Sequence, residues 1–69
     1  MNPGTYRRTY TAAGEGLFTN LLGKHILILT RWGDYGTKRN YRIEIDGEFA
    51  GIADTQKEAK EIASRKVAV

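Results

Sequence analysis

Period-two alternation is clearest at Tyr41-Arg42-Ile43-Glu44-Ile45, where apolar and charged residues take turns. That pattern predicts a strand with one face in a core. Asp46-Gly47 follows, a dipeptide suited to a two-residue type I′ hairpin turn. An unbroken hairpin would pair Ile45 with Glu48, Ile43 with Ala50 and Tyr41 with Ile52. Tyr41, Ile43, Ile45, Ala50 and Ile52 would then share the core face. Phe49 would lie on the opposite face beside Arg42 and Glu44.

The pattern next changes period. Ala59, Ile62, Ala63 and Val67 recur at helical spacing. Thr55 with Glu58 three residues later makes a capping box, while Asp54 and the pair Arg65 and Lys66 complement the helix dipole. A helix is expected from about Gln56 to Lys66, lying on the Ile43/Ile45/Ile52 face. Its small Ala59 and Ala63 allow close approach to the sheet.

Upstream, Lys24 to Trp32 reads as a strand with two largely apolar faces. One face holds Ile26, Ile28, Thr30 and Trp32; the other holds His25, Leu27, Leu29 and Arg31. Such a strand is covered on both sides, and one helix covers one side. Leu17, Phe18, Leu21 and Leu22 are the expected cover from within the chain, with a second protein chain as the alternative. Thr5–Ala12, rich in Thr and Tyr, suits an edge strand. The stretch from Gly33 to Asn40 reads as an exposed loop.

These elements predict a single α+β domain over residues 15–69. It is a small antiparallel sheet of three or four strands, in β-β-β-α order, with one C-terminal helix packed on one face. Residues 1–14 form a basic segment, flexible or paired as an edge strand. At 69 residues the chain has room for one thin core. The absence of cysteine removes disulfides and thiolate metal sites and points to a cytoplasmic setting. The longest aliphatic run, Ile26 to Leu29, is far short of the ~20 residues of a membrane span, and the opening MNPGTYRRTY lacks the apolar stretch of a secretory signal.

Charge divides the chain. Residues 1–42 carry seven basic side chains against two acidic ones, and residues 43–69 carry four against six, which gives +5 and −2 within a net +3. Enzymatic chemistry lacks parts. The single histidine, His25, and the single serine, Ser64, belong to different elements, and the carboxylates have no ligand spacing. Gly23-Lys24 lacks the rest of a P-loop, and Gly14-Glu15-Gly16 lacks the rest of a dinucleotide fingerprint. No catalytic residue, metal, cofactor or small-molecule substrate is expected.

A basic, aromatic surface remains. Tyr6-Arg7-Arg8-Thr9-Tyr10 offers cations for phosphates and rings for stacking. Tyr35 with Lys38 and Arg39 offers the same in the loop, and Arg31, Trp32 and Arg42 flank that loop. The expected nucleic-acid contacts are therefore Arg7, Arg8, Tyr10, Arg31, Trp32, Tyr35, Lys38, Arg39 and Arg42. The β-β-β-α order of residues 24–67 resembles, in topology alone, the arm-binding domains of phage-type tyrosine integrases and the plant AP2 domain. Both lay a three-stranded sheet in the major groove, so the resemblance implies DNA ahead of RNA. The alternative is a protein-interaction or regulatory module, homodimeric or with another partner, using Leu27, Leu29 and Phe49. The outer edge of the 48–54 segment is a further place for an incoming strand.

Overall fold

The computed structural model describes residues 5–12 and 14–68, with the backbone alone at Asp34, Lys38 and Arg39. Two tight turns decide the architecture. Asp46 and Gly47 have φ of 52° and 84°, the all-positive pair of a type I′ turn. Leu22 and Gly23, at 52° and 80°, make a second such turn. Leucine is disfavoured in this left-handed region.

The second turn corrects the expected strand count. The chain forms β1 (Arg7–Thr11), β2 (Gly14–Leu21), β3 (Lys24–Trp32), β4 (Lys38–Ile45), β5 (Glu48–Ala53) and α1 (Gln56–Ala68). The five strands lie in sequence order in one antiparallel sheet, not three or four in a β-β-β-α order. Residues 24–67 keep a β-β-β-α order, but within a sheet that has two further strands, β1 and β2. Residues 1–4 and 13 of the anticipated N-terminal segment lie outside the described residues.

The core lies under α1, where Ile26, Ile28, Tyr41, Ile43, Ala53, Ala59 and Ala63 are buried. Each large aliphatic side chain so buried contributes on the order of 1.5–3 kcal/mol. α1 packs over β3, β4 and β5. Its start is capped as anticipated: the Glu58 backbone N–H donates to Thr55 Oγ1 at 3.1 Å. Tyr6, Leu17, Leu21 and Ile45 extend the core. Thr19 Oγ1 donates to the Thr5 carbonyl at 2.9 Å, tying the start of the chain to β2.

Three details depart from the sequence expectation. First, β5 carries a bulge. Ile45 pairs with Glu48 and Glu44 with Phe49, but Ile43 then pairs with Gly51, Arg42 with Ile52 and Tyr41 with Ala53. The extra residue, Ala50, sends Ile52 to the face away from α1 and puts Ala53 in the core. Second, the anticipated cover of Leu17, Phe18, Leu21 and Leu22 does not form over the far face. Leu17 and Leu21 pack toward the core, Phe18 pairs with Leu27 on the far face, and Leu22 sits exposed in its turn. Leu17, Phe18 and Leu21 became part of the sheet instead of a layer on it. Third, the loop is shorter than expected, because β4 begins at Lys38; it is closed by the Gly33 N–H donating to the Thr37 carbonyl at 2.7 Å. Among the described residues no helix is long and apolar enough to cross a membrane.

Candidate nucleic-acid interface

The registers place the face away from α1 in cross-strand rows. One row runs Arg7, Phe18, Leu27, Glu44, Phe49. The next runs Thr9, Gly16, Leu29, Arg42, Ile52. Arg31, paired with Asn40, lies beyond them toward the 33–37 loop. Apolar side chains thus occupy the middle of this open face, with Arg7, Arg31 and Arg42 around them and Glu44 among them.

Leu29 is buried although it faces away from α1. Gly16 explains this. A Cβ there would stand 2.6 Å from the Ile28 carbonyl oxygen and 3.2 Å from Leu29 Cδ2. The Leu29 side chain therefore lies down in the dip that the missing Cβ leaves. Phe18 and Leu27 are half-buried, and the Phe18 ring stands 5.8 Å from the His25 ring. Within these two rows the large apolar side chains left exposed are Phe49 and Ile52, both on β5. Of the anticipated protein-contact residues, Phe49 is therefore the exposed one, while Leu27 and Leu29 are largely packed.

Arg42 is held in place. Its Nε donates to Glu44 Oε2 at 3.0 Å, and its guanidinium carbon lies 4.6 Å from the centre of the Phe49 ring. The ring contact adds about 0.5–1 kcal/mol at an exposed site. Toward the loop, Leu29, Thr30, Arg31, Trp32 and Arg42 line one recess of about 260 Å³. A second bulge, between Arg31 and Trp32, breaks the β3–β4 register at this recess. Trp32 is half exposed. Tyr35 is fully exposed at the tip of the loop and adopts a φ of 61°.

The structure divides the anticipated contact residues. Arg31, Trp32 and Arg42 come together at the recess, with Tyr35 on the adjoining loop. Arg7 is on the same face, at the far edge on β1. Arg8 and Tyr10 point to the other side, because they pair with Leu17 and Glu15. Arg8 Nε donates to Glu15 Oε1 at 3.1 Å, and Tyr10 is exposed. The Lys38 and Arg39 side chains lie outside the described residues; by backbone register Lys38 is opposite Trp32. The sheet separates His25 from Ser64, which is on α1. Sequence reasoning missed Gly16, Phe18 and Ile52. The alternation Gly16-Leu17-Phe18-Thr19 carried a signal for the first two, but nothing local announced the bulge that moves Ile52.

At the opposite end, Asp46 links the two hairpins. Its N–H donates to the His25 carbonyl, and its Oδ1 accepts from the His25 N–H, each at 2.8 Å. That backbone hydrogen bond holds the Asp46 carboxyl below the usual range, and Lys24, 3.6 Å away, adds to the effect. Beneath α1, burial raises the Tyr6 phenol above its ordinary value. The hydroxyl is buried without a hydrogen-bond partner among the described residues. Comparison with protein-family models, with curated proteins and with solved structures gives no match.

Proposed function

We propose that this is a small, non-catalytic nucleic-acid-binding accessory protein whose contact surface is the loop end of the open sheet face. One observation carries the reading: Arg31, Trp32 and Arg42 line a single recess, with no acidic residue among its described lining. Arg31 supplies the phosphate contact and the net positive charge, while Arg42, neutralised by Glu44 and lying over Phe49, offers its remaining N–H groups as fixed donors. Trp32 and the exposed Tyr35 offer ring faces. Such faces suit unstacked bases, with stacking contributing on the order of 1–3 kcal/mol per base. Single-stranded nucleic acid is therefore the favoured partner, ahead of a duplex. The cysteine-free composition suits a cytoplasmic setting.

The test is fluorescence anisotropy of labelled single-stranded DNA, RNA and duplex DNA at about 50 and 200 mM salt. Binding to single strands that weakens steeply with salt is expected. Arg31→Ala should lower the salt slope by about 0.7, and Trp32→Ala should weaken binding while leaving the slope unchanged. No binding at the lower salt, or equal binding by the Arg31→Ala and Trp32→Ala proteins, overturns the proposal.

A further inference from the structure

We propose that a second copy of this chain docks antiparallel along the outer edge of β5, across a two-fold axis between Ala50 and Gly51. The two sheets then become one sheet of ten strands. This inference does not rest on the nucleic-acid reading, since it needs no ligand, although Phe49 also touches Arg42 of that site.

The first argument is the pattern on β5. This strand ends the sheet, so one side of its backbone has no neighbour among the described residues. Exposed edges are commonly blunted by lysine, proline or a bulge; Glu48–Ala53 contains neither lysine nor proline, and its bulge is the one such feature it has. The bulge gives the strand a palindromic arrangement of faces. Glu48, Ala50, Gly51 and Ala53 belong to the α1 side, while Phe49 and Ile52 belong to the open side. In a strictly alternating strand, a two-fold axis falling between two residues would set opposite faces against each other. The bulge removes that conflict. Antiparallel pairing about Ala50 and Gly51 then places Phe49 beside Ile52 of the second copy, twice. Both are exposed, large and apolar, and both lie on β5.

The second argument is the wall beside that edge. Ala50, Gly51, Ile52, Ile62, Arg65 and Lys66 line a groove of about 520 Å³ between β5 and α1. A Cβ on Gly51 would stand 3.4 Å from Ile62 Cγ2, so Ile62 lies level with the proposed axis. Glu58, Ile62 and Lys66 are spaced at i, i+4 and i+8, one stripe of the helix. α1 follows β5 through a tight turn and runs back along it. The α1 of a second copy would therefore run antiparallel to the first, with the two Ile62 residues adjacent. Glu58 of each copy then faces Lys66 of the other. The stripe is complementary to itself in charge, and that selects a second copy over an unrelated acidic or basic strand.

Sedimentation equilibrium of the full chain, from about 1 μM to 1 mM, tests this. A monomer–dimer equilibrium is expected, weakened about tenfold by Glu58→Lys and by Lys66→Glu separately, and restored to within about threefold when both are combined. Phe49→Lys should abolish the dimer while circular dichroism shows the fold retained. A monomer at every concentration overturns the proposal. So does a dimer indifferent to Phe49→Lys, or one in which the combined charge exchange is as weak as the single changes.

Discussion

Leu27 and Ile28 are neighbours on β3, yet α1 covers only Ile28. Ile28 is 1% exposed among Ile26, Ile43 and Ala63, whereas Leu27 is half-buried between Phe18 and Glu44. The covered face is a closed core of isoleucines and alanines. The open face achieves part of the same burial by lateral packing: Leu29 rests over Gly16, and Arg42 lies over Phe49. A 69-residue chain has material for one complete core, and its second face is assembled from side chains that shelter one another.

The largest expected effect separates the two faces. Ile28→Ala should cost roughly 2–5 kcal/mol, and Leu27→Ala about 1 kcal/mol, in urea unfolding monitored by circular dichroism. Equal losses would mean that the open face is covered in solution. Gly16→Ala comes next, with an expected cost of about 1–3 kcal/mol, because the new methyl meets backbone at Ile28 and displaces Leu29. A neutral result would show that Leu29 does not depend on that dip. Leu22→Asn should stabilise by about 0.5–1 kcal/mol, since asparagine tolerates the left-handed conformation and the exposed leucine packs little. A loss of stability would show that Leu22 packs on the sheet.

Titration gives the smallest effects, and they divide by location. The carboxyl of Asp46 is depressed in the folded chain, so its contribution is present above the unfolded value of about 4 and is lost as pH falls through the folded one. Asp46→Asn should flatten the acid limb of the urea midpoint plotted against pH. The phenol of Tyr6 is raised, so its contribution is complete below about 10 and fades as pH climbs through the folded value. Tyr6→Phe should remove that alkaline loss without destabilising the protein at neutral pH. An unchanged alkaline limb would assign the loss to another group.

The two type I′ turns show why part of the fold was legible and part was not. Asp46-Gly47 names its turn by residue type, and the β4–β5 hairpin followed from it. Leu22-Gly23 has the same geometry without a helpful first residue, because the pairing of Leu21 with Lys24 and Leu17 with Ile28 imposes it. β2 was hidden for that reason, and with it the five-strand count. The candidate interface was legible where it depends on adjacency. Arg31, Trp32 and Arg42 flank one loop, and they meet. It was illegible where it depends on pairing: Arg7 and Arg8, as strand neighbours, must point to opposite faces, and only the register against Phe18 and Leu17 decides which of them shares the face of Arg42.

By itself the sequence determined β3, the β4–β5 turn, the capped helix and the apolar stripe of that helix, because each depends on interactions within a few residues. Tertiary structure decided the strand total, the face of Ile52 and the packing of Leu29 against Gly16. Those outcomes turn on backbone pairing between distant segments, where one bulged residue reverses every side chain beyond it.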